Sequence, residues 1–393
     1  MQYRVEQRTG AKLSVLGFGC MRFPRTVSGI DKKRSEQLVL QAIEGGVNYF
    51  DTAYLYPGSE SALGDILSKN NLRGQVMLAT KLPITNCKKP EDFDRFFTEQ
   101  LTRLKTDYID FYLMHNVGNF DQWRKLCDLG ITEWIKKQKE KGRIQRIGFS
   151  FHGAGEEFLK IIDSYDWDFC QIQYNYFDEN YQAGVTGLKR AAKLNMPVII
   201  MEPLLGGKLA TGLPKQAEEV FRKANPLYSP AAWGLRWLLN QPEVTVILSG
   251  MNREDQLTDN IKTSENAMPG TLNSAERESY QQVTQIFRKT YKIPCTGCGY
   301  CQPCPHGVNI PDCFAAYNTS YSMSWFMGMF QYVTSTGANH TKGHTASRCV
   351  GCGVCEKHCP QNIPIREKLK NVSGRMEPFY FNFVMNVLRK GKK

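Results

Sequence analysis

"NYFDTAYLYPGSESALGDIL", residues 48–67, decides the fold. Its first six residues, "NYFDTA", set an aromatic pair directly before an acid, Asp51. A Pro-Gly pair follows, and then "SALGDIL", whose apolar positions fall at three- and four-residue steps. Strand, turn and amphipathic helix in that order make one β/α unit. The same rhythm runs through residues 1 to about 265. Seven further strand candidates are "LSVLGFG" (13–19), "VMLATKL" (76–82), "YIDFYLMH" (108–115), "QRIGFS" (145–150), "CQIQYN" (170–175), "PVIIMEP" (197–203) and "VTVILSGM" (244–251). Helical stretches such as "KRSEQLVLQAIEGG" and "FDRFFTEQLTRL" separate them. Eight such units closing on themselves give an α/β fold, a (β/α)8 TIM barrel. An open doubly wound sheet is the alternative, and it is disfavoured because the first strand lacks a G-x-G-x-x-G turn.

Past residue 267 the rhythm changes. "TLNSAERESYQQVTQIFRKTYK" reads as a connecting helix within 268–292, and 293–393 reads as a second, mainly helical domain rich in cysteine. There "CTGCGYCQPCPHGVNIP" (295–311) is matched, 54 positions later, by "CVGCGVCEKHCPQNIP" (349–364). Both share C-x2-C-G-x-C, then Cys-Pro, then Asn-Ile-Pro, so the segments read as two copies of one unit. Eight of the 13 cysteines lie in these copies, a pattern that points to metal binding rather than disulfides. Zinc is the plain alternative to iron for paired C-x2-C motifs. Cys20, Cys87, Cys127 and Cys170 have no partner pattern, although Cys20 follows the first strand and so opens toward the active end of a barrel.

With "NYFDTAYLYPGSESALGDIL", the motifs "LATK", "YIDFYLMH" and "IGFS" occur in order, each at the end of a different unit. Over residues 3–265 this set resembles the aldo-keto reductase family. The resemblance implies a catalytic group of Asp51, Tyr56, Lys81 and His115. The residue types suit the chemistry: a Tyr hydroxyl, with a pKa near 10, donates a proton readily only when a cation stabilises its anion. Lys81 supplies that cation, Asp51 holds it, and His115 hydrogen-bonds the substrate oxygen.

The resemblance also implies nucleotide-binding positions. Ser150 and Gln171 match the nicotinamide carboxamide contacts, and Asn175 lies near the same rim. Met201 stands where a stacking aromatic is common, and Pro203 and Leu204 begin a phosphate-side loop. Gly250, Asn252, Arg253, Gln256 and Asn260 form the last segment, with Asn252 expected to cap the final helix. Gly250 and Gln256 replace the usual basic pair for a 2′-phosphate. NADPH or NADH is the implied cofactor, and FMN is the alternative.

"CVGCGVCEKHCP" fits the bacterial two-cluster ferredoxin run in full, whereas "CTGCGYCQPCP" has two residues rather than three before its last Cys. The resemblance to ferredoxins implies two [4Fe-4S] clusters with crossed ligation. One is held by Cys295, Cys298, Cys301 and Cys359, the other by Cys349, Cys352, Cys355 and Cys304. The short spacing makes Cys304 the irregular member, with Cys313 a substitute unless it is simply core.

The chain's 393 residues carry a net charge of +12. No basic helix or aromatic platform suits nucleic acid, so an acidic electron carrier such as ferredoxin or flavodoxin is the expected partner beside a small carbonyl-type substrate. No apolar run is long enough to span a membrane, and no secretion signal is visible, so the cytoplasm is expected. The final "EPFYFNFVMNVLRKGKK" either packs back on the protein or offers a surface contact.

A hydride carries two electrons and a cluster accepts one, so direct exchange needs a carrier such as a flavin to divide the pair. Three readings follow. The first is an oxidoreductase whose barrel is wired through clusters. The second is a conventional NAD(P)H-dependent carbonyl reductase with structural or redox-sensing clusters. The third is a non-catalytic electron-transfer subunit, which the intact Asp51, Tyr56, Lys81 and His115 set disfavours.

Overall fold

The computed structural model describes residues 1–6, 10–338 and 343–390. Eight parallel strands close into a barrel in chain order: β1 (Leu16–Gly19), β2 (Tyr49–Asp51), β3 (Met77–Leu82), β4 (Ile109–Val117), β5 (Ile144–Phe151), β6 (Phe169–Gln173), β7 (Val198–Met201) and β8 (Val244–Ser249), which pairs with β1. At least one helix lies between each pair of successive strands. The TIM barrel read from the sequence is the observed fold.

Alternation along each strand sorts side chains to the two faces. Tyr49, Ala79, Phe111, Leu113, Phe169, Ile199, Val246 and Leu248 form one cluster inside the barrel. Their neighbours Phe50, Leu78, Tyr112 and Ile200 belong to the larger core under the helices. Gly17 on β1 faces inward where an added Cβ would stand 2.8 Å from Leu248 and Val246, so only glycine fits.

One expected strand divides. "LSVLGFG" is not a single element: Lys12–Ser14 pairs antiparallel with Tyr3–Val5, and the barrel strand starts at Leu16. The Ser14 hydroxyl donates to the Leu16 carbonyl at 2.7 Å, and Asn48 Oδ1 accepts from Ser14 N–H at 2.8 Å, which turns the chain between the two ladders. Leu13 joins the interior cluster and closes the end of the barrel where the strands begin.

The chain separates into two compact units, Met1–Leu204 with Ala231–Leu272, and Leu205–Pro230 with Asn273–Lys393. In the second, the helix Lys215–Ala224 of the 205–230 segment packs on the helix Ser274–Thr290, with Phe221 and Tyr280 edge to face at 5.6 Å. The latter helix starts at a capping box made by Asn273 and Glu276. The apolar stretch after the first cysteines forms two helices, Ile310–Ser322 and Trp325–Ser335. An added Cβ on Gly328 would meet the Ser320 Cβ at 2.5 Å, so this glycine permits their close crossing.

Ile365–Met376 and Phe381–Lys390 complete the unit. Phe381 and Met385 bury themselves in its core while Phe379 and Phe383 stay exposed, so the aromatic tail has one packed and one open face. Residues 391–393 of that tail lie outside the described residues. Among the described residues no helix is long and apolar enough to cross a membrane.

Candidate active site and cluster-binding cysteines

Strand ends bring the four expected catalytic residues to the C-terminal mouth of the barrel. Lys81, near the end of β3, is fully buried, and its Nζ donates to Asp51 Oδ1 at 2.6 Å and to the Thr52 carbonyl at 2.7 Å. The same Nζ lies 5.0 Å from the centroid of the Tyr56 ring, and that ring meets the His115 ring edge on at 5.8 Å. Burial draws Lys81 below the ordinary lysine range and pushes Asp51 above the ordinary carboxylate range, each opposed by the charge of the other. Burial, reinforced by the Lys81 charge, also holds His115 well below its usual pKa, so the ring is neutral near pH 7.

The backbone holds this geometry. After β2 the chain turns tightly, with Tyr56 N–H on the Ala53 carbonyl and Ser59 N–H on the Tyr56 carbonyl, both at 3.0 Å. Behind Lys81, Gln100 donates to the Lys81 carbonyl and to Glu60, while Thr80 donates to Glu60 at 2.6 Å and Tyr112 donates to Gln100 at 2.7 Å. The β4–β5 register shifts between Met114 and Val117, so His115 lies on a bulge. Asn116 takes a left-handed φ of 58° there and donates its N–H to Ser150 Oγ at 2.8 Å.

The expected nucleotide residues divide by what their polar atoms already do. Ser150 and Gln171 sit in register on β5 and β6. The Gln171 Oε1 is buried with no hydrogen-bond partner among the described residues, and its Nε2 reaches only the Met201 sulfur at 3.6 Å. Asn175 is occupied: its oxygen accepts from Phe177 and Asp178 N–H, and its amide donates to the Glu202 carbonyl. Pro203 is buried, and Leu204 packs where Gly234 leaves room. Glu202 and Leu205 both hold positive φ, at 52° and 49°, a strained loop for residues with side chains.

The last turn corrects one expectation. The helix Glu254–Asn266 is N-capped by Arg253 without a side-chain bond, and Asn252 does not cap it. Asn252 instead gives its backbone N–H to Gln256 Oε1 at 3.0 Å. The long Gln256 side chain reaches back over the turn to this N–H, which precedes the cap residue. Arg253 forms an exposed two-pronged pair with Asp255, at 2.9 and 2.7 Å. Asn260 donates to Ser249 Oγ at 2.9 Å and keeps a buried Oδ1 without a partner among the described residues. An added Cβ on Gly250 would lie 3.0 Å from Arg22 Cδ. Arg22, from the loop after β1, is therefore a cation beside this turn that motif matching passed over.

In the second unit, Cys295, Cys298, Cys301 and Cys359 line one cavity together with Ile310, Phe314, Ile363 and Ile365. Burial pushes the Cys301 thiol up to about 12, helped by Cys295, Cys298 and Cys359 beside it, and pushes Cys355 up to about 11, helped by Glu356, Cys349 and Cys304. Cys359 thus stands beside the first run, and Cys304 beside Cys349 and Cys355 of the second. Four cysteines lining one cavity, with Cys304, Cys349 and Cys355 packed against the same apolar core, suit the donor demands of iron-sulfur cubanes, which take the thiols as thiolates. Cys313 is fully buried against the His344 carbonyl, as core. Cys20 is likewise core: it is buried, with its thiol directed at the Phe18 carbonyl, and burial raises its pKa well above the usual range. None of the 13 cysteines forms a disulfide.

The sequence reading missed the Glu60–Thr80–Gln100 network, the Asn116 bulge and Arg22. Only Asn116, directly after the His115 motif, carried a local signal, since Asn tolerates left-handed backbone. The other contacts join residues far apart in the chain.

Residues 15–271 match the Aldo/keto reductase family, and residues 294–363 match the 4Fe-4S dicluster domain. Among curated relatives, "Uncharacterized oxidoreductase YrpG" of Bacillus subtilis is 27% identical, over 73% of this chain and 96% of its own. "Aldo-keto reductase YhdN" of the same organism is 24% identical, over 75% and 96%. The solved aldo-keto reductase AKR11C1 from Bacillus halodurans, in its holo form, superposes with a TM-score of 0.59 at 25% identity, over 72% of this chain and 96% of that one. Barrel, site and matches agree: this chain is an oxidoreductase of the aldo/keto reductase family that carries a 4Fe-4S dicluster domain.

Proposed function

We propose that the barrel reduces, or in reverse oxidises, a small carbonyl-type substrate, and that electrons reach or leave it through two [4Fe-4S] clusters. The observation that carries the barrel half is the buried Lys81 ammonium, 2.6 Å from Asp51 and 5.0 Å from the Tyr56 ring centroid. A bound two-electron cofactor, nicotinamide or flavin, would supply hydride to the carbonyl carbon. Tyr56 gives its hydroxyl proton to the carbonyl oxygen as negative charge grows there. Lys81, shielded from water, stabilises the phenolate left behind, and Asp51 keeps Lys81 protonated. His115, neutral, hydrogen-bonds the same substrate oxygen.

The proposed cofactor set is Ser150, Gln171, Asn175, Met201, Pro203, Leu204, Gly250, Asn252, Arg253, Gln256 and Asn260. The open Gln171 oxygen fits an amide N–H donor such as a carboxamide, which supports NADPH or NADH. Met201 in the stacking position, and the lack of a basic pair at Gly250 and Gln256, leave the mouth open to FMN, which would divide an electron pair between the clusters. The cluster ligands are Cys295, Cys298, Cys301 and Cys359, and Cys349, Cys352, Cys355 and Cys304. An acidic ferredoxin or flavodoxin serves as external carrier, in the reducing cytoplasm where such thiols persist.

The second reading is a conventional NAD(P)H-dependent carbonyl reductase with structural or redox-sensing clusters. The same Gln171 oxygen favours it. The test is to purify the protein without oxygen, reconstitute the clusters, offer FMN, FAD, NADH and NADPH, and identify what stays bound after denaturation and chromatography. Retained stoichiometric flavin supports wiring. Retention of a nicotinamide alone moves the account to the second reading.

A further inference from the structure

The basic charge of this protein is not spread over it. The barrel unit, Met1–Leu204 with Ala231–Leu272, holds 31 Lys and Arg against 30 Asp and Glu, whereas the second unit holds 19 against 8. Nearly all of the +12 therefore belongs to the unit with the cysteines. Each cubane with its four thiolates subtracts about two charges, which leaves the loaded unit at about +7.

Within that unit the two cysteine groups differ in exposure. Cys352 is exposed, whereas the other seven motif cysteines are partly covered. The turn that carries it presents Val350, 64% exposed, and Val354, 43% exposed. Basic side chains border the turn. Arg366 has its guanidinium carbon 3.5 Å from the position a Cβ would take on Gly353, and it pairs with the nearby acid Glu356 at 2.8 Å. Arg348 precedes the first cysteine of the motif and donates to the His306 carbonyl, and Lys357 stands exposed beyond Cys355. From 348 to 370 there are five Lys and Arg and two Glu.

An exposed ligand, two open valines and a basic border are what a short-lived electron-transfer contact uses: a small apolar centre for close approach, and complementary charge for orientation. We propose that the Val350–Val354 turn is the docking surface for an acidic one-electron carrier protein, and that electrons cross there to the cluster of Cys349, Cys352, Cys355 and Cys304. In the step, one electron leaves the reduced carrier and converts that cluster from its 2+ to its 1+ state; no proton or bond changes hands. This rests on the cluster assignment proposed above.

The test uses the reconstituted full chain, an acidic two-[4Fe-4S] ferredoxin as probe, and three proteins: wild type, the double variant Val350→Glu with Lys357→Glu, and Phe383→Glu on the open aromatic face of the C-terminal helix. Affinity is read by surface plasmon resonance at two ionic strengths, with cluster content followed by iron analysis and dithionite-reduced spectra. We expect binding that weakens with salt and falls at least tenfold in the double variant, with iron content and spectra unchanged and Phe383→Glu binding as wild type. Equal affinity in wild type and double variant overturns the docking surface, as does loss of binding in Phe383→Glu alone or no binding at low salt. If the wild type takes up no iron, the cluster assignment itself fails; intact clusters with unaltered affinity defeat only the docking surface.

Discussion

The barrel unit and the cysteine unit of this chain reach a folded state by different means. Inside the barrel, Tyr49, Phe111, Phe169 and Ile199 fill the interior while a second layer, Phe50 and Tyr112 among it, seals the helices. The barrel core closes with side chains alone. The other unit gathers a smaller core around Ile310, Phe314, Tyr332 and Met376, and six of its motif cysteines lie half-buried against that core. Where ligands are also packing residues, metal binding and folding are coupled. The charge balance differs likewise, near neutral in the barrel and strongly basic in the cysteine unit. One region closes its core with side chains alone. The other matches a 4Fe-4S dicluster domain and carries most of the positive charge.

The sharpest way to break this contrast is Tyr56→Phe. Carbonyl reduction should drop by roughly 10²- to 10⁴-fold, the range for losing a positioned acid, with iron content and both units' melting unchanged. A steady-state assay beside calorimetry checks it. Lys81→Met reaches the frame as well as the chemistry, because it leaves the Asp51 carboxylate buried without its cation; unfolding of the barrel should become easier by about 3–5 kcal/mol, measured in denaturant.

Cys359→Ala tests the other side. Removing one thiol from the first group should cut iron from about eight to about four atoms per chain and lower the melting of the cysteine unit only. If the barrel melts with it, the two units do not fold separately as described.

Acid should act on the barrel through its buried histidines. His152 faces Gln182 and is held down to about 4 by burial, while in the unfolded chain it takes a proton near 6.5. Between those values the unfolded state binds more protons, so stability is full above about pH 6.5 and falls as pH drops toward 4, by about 3 kcal/mol for this one group. His115 acts in the same direction. His152→Gln should flatten the slope in pH-dependent unfolding. The smallest expected effect is that of Gln171→Leu: nicotinamide binding should weaken about tenfold, the worth of one hydrogen bond to an otherwise unpaired buried oxygen, with no change in cluster content.

Much of the frame was legible because barrel strands advertise themselves locally. Every strand ends at the same face, so the family resemblance of three separate motifs could place Asp51, Lys81 and His115 at one mouth. The two cysteine runs were legible for a similar reason: spacing is itself the chemistry. What escaped was whatever depends on reach across the chain. The Asn48 side chain that accepts from Ser14 N–H, the Glu60–Thr80–Gln100 network, and Arg22 beside Gly250 are set by tertiary distance. No periodicity encodes them. The helix Lys215–Ala224 escaped too, since the chain enters the second unit at 205 and returns at 231, with no break in composition to mark it.

The central claim is that the two units exchange electrons, and one anaerobic measurement tests it most directly. The reconstituted protein, with whatever cofactor it retains, is reduced until both clusters are in the 1+ state, freed of reductant, and mixed with a chromogenic aromatic aldehyde while cluster signals are followed by electron paramagnetic resonance. The account predicts that both clusters return to 2+ as one alcohol forms, two electrons and two protons per aldehyde. Clusters that stay reduced with aldehyde present, while the same sample makes alcohol only when NADPH or NADH is added, would contradict it.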